Sequence, residues 1–123
     1  MEIKENDSRS KLTIVEVDQL VMVENICETI LRYPAKEYKV YDIAKGFSYS
    51  PDHFSRIFNK FKKVTVQEFI ISTRIDYAKA LLCNSKYPVT KIAELTGYKE
   101  IFHFFKQFAE KTGLSPSAYR KSE

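Results

Sequence analysis

DIAKGFSYS (Asp42–Ser50) and KIAELTGYK (Lys91–Lys99) are two copies of one pattern. Both place Ile-Ala at their second and third positions and Tyr at their eighth, so the copies stand 49 residues apart. One extra residue in the second copy then moves the offset to 50. Phe54 pairs with Phe104, Phe58 with Phe108, Thr65 with Ser115 and Phe69 with Tyr119. A period of about fifty residues makes this a duplicated unit, and its fold is read once for both copies.

Each unit reads as a short helix, a tight break and a longer helix. In VYDIAKGF, residues Val40, Ile43, Ala44 and Phe47 follow helical spacing, and Ser-Tyr-Ser-Pro interrupts it. Ser50 caps the next helix with Pro51 at its first position, where a missing N–H is harmless. Phe54, Ile57, Phe58 and Phe61 form the i, i+3, i+4, i+7 stripe of a buried face. The opposite face carries Asp52, Ser55, Arg56, Asn59, Lys60 and Lys63. In the second unit Val89, Ile92 and Ala93 take the corresponding positions. The break there falls at Thr96-Gly97, where glycine accepts φ > 0 freely. Helix, short turn and helix is the helix-turn-helix arrangement, weak evidence singly and stronger when duplicated.

Between the units, TVQE (Thr65–Glu68) is a capping box, opening a helix that runs to about Cys83. Ser72, Asp76, Lys79 and Cys83 fall on one narrow strip of it. Phe69, Ile70, Ile71, Ile75, Tyr77, Ala78, Leu81 and Leu82 occupy the rest, as expected of a connector covered by both units. Arg74 lies in that apolar sector, which predicts a buried stem and a head either paired within the fold or directed at phosphate, the structural role being preferred. Upstream, Leu20, Val23, Cys27, Ile30 and Leu31 mark an amphipathic helix over the first unit, with Cys27 as a core thiol.

The expected fold is therefore all-α: two helix-turn-helix subdomains on a long connector helix, about seven helices in all. Expected boundaries are a flexible polar segment at 1–17, the first subdomain at 18–64, the connector at 65–84 and the second subdomain at 85–123. Three glycines and four prolines leave little turn chemistry for hairpins. No apolar run is long enough to span a membrane, and the polar start MEIKENDSRSK lacks a signal peptide's apolar region, so a cytoplasmic protein is expected. Cys27 and Cys83 have no metal-ligand spacing, and no metal or cofactor is expected. An enzyme is disfavoured, because no nucleophile, base and orienting residue cluster and no glycine-rich phosphate loop occurs.

Charge is uneven. Residues 1–38 hold 5 Lys+Arg against 8 Asp+Glu, whereas residues 39–123 hold 15 against 8. The basic part coincides with the duplicated units, as a polyanion-binding surface requires.

VTKIAELTGYKEIFHFFKQFAEKTGLSPSAYR (Val89–Arg120) resembles the signature of the AraC/XylS family of bacterial transcription regulators. The matching residues are Ile92-Ala93, Gly97-Tyr98, Phe104 and Phe108, Gly113-Leu114-Ser115-Pro116 and Tyr119-Arg120. Arg74-Ile75, Ala78 and Leu81-Leu82 extend the likeness into the connector, and it covers residues 18–121. The first unit departs from the pattern, with Ser48 where the family has glycine and Lys63-Val64-Thr65-Val66 for Gly-x-Thr-Pro. A lysine in the left-handed conformation costs about 1 kcal/mol, and a less tightly fixed loop before the connector is expected.

The resemblance implies a transcription regulator that binds double-stranded DNA sequence-specifically, an activator contacting RNA polymerase. Its two second helices, around 51–63 and 100–112, would lie in successive major-groove segments about 34 Å apart. Carried over by position, the base-reading residues are Asp52, Ser55 and Arg56 in the first helix and Ile101, Phe102 and Lys106 in the second. Arg56 suits guanine O6 and N7, while Asp52 orients Arg56, accepts from cytosine or forms only an exposed ion pair with it. Phosphate-contact candidates are Lys45, Lys60, Lys62, Lys63, Lys91, Lys99 and Lys111. His53 and His103 correspond between the units and are read as boundary residues.

KEIFHFFKQF (Lys99–Phe108) holds more apolar residues than one stripe uses. Ile101, Phe104 and Phe108 share a face and supply the core, which leaves Phe102 and Phe105 beside Lys106. Three readings stay open for this pair: thymine methyl groups, a protein partner, or packing against the connector. The protein-partner reading gives the alternative function, a co-regulator that binds through the second subdomain.

Overall fold

The computed structural model describes residues 11–123, and among these every regular element is helical. The order is α1 (Ile14–Arg32), α2 (Val40–Gly46), α3 (Pro51–Lys62), α4 (Val66–Asn84), α5 (Val89–Leu95), α6 (Ile101–Thr112) and α7 (Pro116–Ser122). The duplication is visible residue by residue. Helices α2 and α5 have 7 residues each, and α3 and α6 have 12 each. The α2–α3 turn closes with Tyr49 N–H donating to the Ala44 carbonyl at 2.9 Å, and the α5–α6 turn with Tyr98 N–H donating to the Ala93 carbonyl at 2.9 Å.

Backbone conformation repeats as well. Among the described residues four have positive φ, Ser48 (64°), Gly97 (97°), Lys63 (65°) and Gly113 (81°), and they form two equivalent pairs. Chain reversal at these points demands the left-handed region whatever the side chain, so the first unit holds L-residues where the second holds glycine. The loose loop expected after Lys63 is countered by local hydrogen bonds. Lys63 N–H donates to the Asn59 carbonyl at 2.8 Å, Thr65 N–H to Glu68 Oε1 at 2.9 Å and Glu68 N–H to Thr65 Oγ1 at 3.0 Å.

Two cores share the connector. Val23, Cys27 and Ile30 of α1, Ala44 of α2 and Phe54, Ile57 and Phe58 of α3 pack with Val66 and Ile70 from the first half of α4. The second half of α4, through Ile75, Ala78 and Leu82, packs with Ile92, Ala93, Tyr98, Phe104 and Phe108. This double use explains why α4 is apolar around so much of its circumference. Burying a large aliphatic or aromatic side chain contributes roughly 1.5–3 kcal/mol, so α4 draws stabilisation from both cores and ties them together.

Polar staples complete the joint. Arg74 in mid-α4 donates from Nε to the Pro34 carbonyl at 2.9 Å and from Nη2 to the Lys36 carbonyl at 3.0 Å. Its guanidinium also lies 5.6 Å from the Tyr98 ring centroid, so one side chain links the α1–α2 loop to the second unit. Of the two roles open to the Arg74 head, pairing within the fold is the one formed. At Gly97, an added Cβ would stand 2.9 Å from the Ala35 carbonyl oxygen and 3.0 Å from Arg74 Cζ, so the two units approach through the space a side chain would fill. Arg120 donates to the Leu82 carbonyl at 3.1 Å and holds α7 against the end of α4.

Three expectations need correction. Helix α1 begins at Ile14, inside the segment assigned to 1–17, because Thr13 and Glu16 form a capping box there; residues 1–10 lie outside the described ones. Leu31 is 60% exposed, since the core stripe of α1 is Met22, Val23, Ile26, Cys27 and Ile30 and turns away before reaching it. Phe47 is 44% exposed, standing past the end of α2 on the rim of an open depression between α1 and α2.

Candidate nucleic-acid interface

On α3 the stripe Phe54, Ile57 and Phe58 is buried, and Asp52, Ser55, Arg56 and Asn59 are all exposed on the far side. At about 100° per residue these four occupy roughly 100° of arc, a single readable strip. Ser50 accepts from the His53 N–H at 3.2 Å and fixes where the helix starts. Asp52 and Arg56 make no ion pair among the described residues, so the exposed i, i+4 pair considered from sequence is not formed. Arg56 therefore presents its donors to solvent. Asn59 belongs to the same exposed strip, two turns beyond Asp52, on the face the sequence assigns to it.

The equivalent strip on α6, fifty residues on, is Phe102, Phe105, Lys106 and Ala109, again all exposed. Ile101 does not belong to it. That side chain is half-buried and packs against the second core, because it sits at the edge of the Phe104–Phe108 stripe. Phe102 is 77% exposed, which removes packing against the connector as the account of that residue, whereas Phe105 is only 38% exposed. His53 and His103 are exposed at matching positions, each edge-on to the tyrosine of its own turn, Tyr49 and Tyr98. No group of three or more potential metal ligands occurs among the described residues.

The lysines divide. Lys60 bonds Glu16 at 2.7 Å and Lys62 bonds Glu24 at 3.4 Å, both carboxylates coming from α1. Lys91 lies 3.7 Å from Glu94 and Lys99 3.8 Å from Glu37. Lys60 and Lys62 flank the α3 strip on either side, so the acidic N-terminal region neutralises part of the basic surface. That pairing depresses the Glu16 carboxyl below its ordinary value, through the Lys60 hydrogen bond first and the Thr13 N–H second. Lys45, Lys63 and Lys111 have no ion-pair partner among the described residues. Lys111 lies about 180° around α6 from Phe102, near Glu68, so it faces away from the strip.

Two structurally equivalent helix-turn-helix units, each presenting its second helix to solvent and joined by one connector, define a bipartite helix-turn-helix domain. The helix-turn-helix domain family matches residues 43–122. The Msm operon regulatory protein of Streptococcus mutans is 26% identical over 119 residues, covering 97% of this chain and 40% of that protein. The raffinose operon regulatory protein RafR of Pediococcus pentosaceus is 32% identical over 83 residues, 68% of this chain and 30% of that protein. Among solved structures, the DNA-binding domain of the global transcriptional factor AdpA, in complex with a target DNA, superposes with a TM-score of 0.77 at 24% identity. It covers 81% of this chain and 90% of that domain. The chain belongs to the AraC-type helix-turn-helix family of DNA-binding transcription regulators. It spans 13–40% of the length of the first three curated relatives.

Proposed function

We propose that this chain is the DNA-reading module of a bacterial transcription regulator, with α3 and α6 lying in successive major-groove segments of one asymmetric site. The observation that carries this reading is the equivalence of the two exposed strips on α3 and α6, held on a connector that belongs to both cores. Because α4 is part of each core, the spacing of the strips is a property of the fold, and a single chain recognises a site about one helical turn long in each half. The proposed base contacts on α3 are Asp52, Ser55, Arg56 and Asn59. Those on α6 are Phe102 and Lys106, with Phe105 beside them.

Arg56 is the main source of discrimination, through a bidentate bond to guanine O6 and N7. Phosphate contacts fall first to Lys45 and Lys63, which have no acidic partner among the described residues. Lys60, Lys62, Lys91 and Lys99 exchange carboxylates for phosphates, at little cost because exposed pairs contribute only about 0–1 kcal/mol. Activation through contact with RNA polymerase, on the nucleoid in the cytoplasm, completes the proposal. It predicts a higher yield of run-off transcript from a template carrying the site.

Selection of binding sites from random duplexes tests the reading, repeated with Arg56→Ala. The expected result is an asymmetric two-part site, with Arg56→Ala relaxing one position and weakening binding by roughly 5- to 150-fold, the equivalent of about 1–3 kcal/mol. An unchanged preferred sequence removes α3 from base reading. Absence of any preferred duplex leaves the co-regulator reading, which the exposure of Phe102 favours.

A further inference from the structure

We propose that the two units read different chemistry, α3 through hydrogen bonds and α6 through the 5-methyl groups of thymine. The inference rests on α6 lying in the major groove. Its basis is the positional equivalence of the strips. Where α3 carries Asp52, Ser55, Arg56 and Asn59, α6 carries Phe102, Phe105, Lys106 and Ala109. The α3 strip offers donors and acceptors at every position, whereas the α6 strip offers one donor, Lys106, and otherwise only apolar surface. In the major groove the apolar feature is the thymine methyl, absent from the other three bases.

The rings are arranged for such a contact. Phe105 stands 6.3 Å from the buried ring of Phe104, which seats it on the second core. Phe102 leans edge-on against Phe105, centroids 6.3 Å apart and planes at 77°. Two rings braced in sequence lose little side-chain freedom when they meet a flat apolar neighbour. Ala109 on the same strip keeps the approach open, being too small to hold the helix away from the base edges.

Deoxyuridine provides the test, because replacing thymidine with it removes the methyl and leaves pairing and the O4 acceptor in place. The protein is titrated against its selected duplex with deoxyuridine placed either in the α6 segment or in the α3 segment. Each contacted methyl lost under α6 should weaken binding roughly 4-fold, the equivalent of about 0.8 kcal/mol for one buried carbon group. Substitution under α3 should change little.

Phe102→Ala should bind the thymidine duplex more weakly and lose its sensitivity to deoxyuridine. Phe102→Leu should keep part of both. Since Phe102 is 77% exposed, a circular-dichroism melt of each variant should match the parent. Indifference to deoxyuridine in the α6 segment, with the two-part sequence preference intact, overturns this inference alone. Loss of preference in both segments overturns it together with the DNA-reading proposal.

Discussion

Replacing Gly97 with alanine probes the joint between the two units, and Gly113→Ala provides an internal reference. Both glycines have positive φ, 97° and 81°, so each substitution forces an L-residue into the left-handed region at about 1–2 kcal/mol. Stiffening of the unfolded chain returns about 0.4–1 kcal/mol in each case. At Gly113 nothing lies within 4 Å of the new Cβ, so the net loss should be about 0–1.6 kcal/mol. At Gly97 the Cβ meets the Ala35 carbonyl oxygen at 2.9 Å and its Cα at 3.0 Å, backbone atoms that cannot rotate away. Overpacking of this kind adds about 1–3 kcal/mol, giving Gly97→Ala a total of about 1–4.6 kcal/mol. Urea titration followed by far-ultraviolet circular dichroism gives both values, with melting temperatures as a second measure. Gly97→Ala should also weaken binding to the full two-part site more than Gly113→Ala does, since it pushes the units apart. Equal losses of stability for the two variants would refute the close approach.

Arg74→Ala removes two hydrogen bonds from a cationic donor and a stack on Tyr98, and should lower stability by about 2–4 kcal/mol in the same titration. Lys63→Gly relieves a left-handed lysine whose N–H bond to Asn59 any residue can make, and should raise the urea midpoint by the equivalent of about 0.5–1 kcal/mol. Glu68 has its carboxyl held below the ordinary range, chiefly by the Thr65 N–H. A depressed carboxylate stabilises the fold above its unfolded value, near pH 4, and loses that contribution as pH falls through the folded value. Glu68→Gln still accepts the bond without titrating, so its melting temperature should fall less steeply between pH 5 and pH 3 than the parent's.

The architecture was open to sequence reading because each unit repeats its own punctuation. Ile-Ala, the turn tyrosine and the paired phenylalanines fix two helices per unit, and the shift of offset from 49 to 50 lies between the turn and the second helix. Ser50-Pro51 and the Thr65–Glu68 box mark helix starts because capping is a local matter, settled within four residues. Contacts between distant segments were less accessible. That Lys60 and Lys62 meet Glu16 and Glu24 depends on how α1 crosses α3, which spacing along the chain does not encode. The partners of Arg74 are backbone carbonyls of Pro34 and Lys36, and carbonyls carry no residue signature. Leu31 and Phe47 were misplaced because periodicity continues past the point where the neighbouring helix stops covering it. In the candidate site the α3 strip could be read from one helical wheel. On α6 the wheel already puts Ile101 with Phe104 and Phe108, against its place among the base-reading positions carried over from the family, and the exposures decide for the wheel.

The central claim is that one chain reads two groove segments at a spacing fixed by α4. A half-site spacing series tests it most directly: the selected duplex is rebuilt with one to five base pairs inserted or deleted between the α3 and α6 segments, and affinity is measured at constant salt. A change of even one or two base pairs should remove the whole contribution of the second segment, leaving the affinity of a duplex with that segment scrambled. Affinity that persists across the series would contradict a rigid bipartite reader.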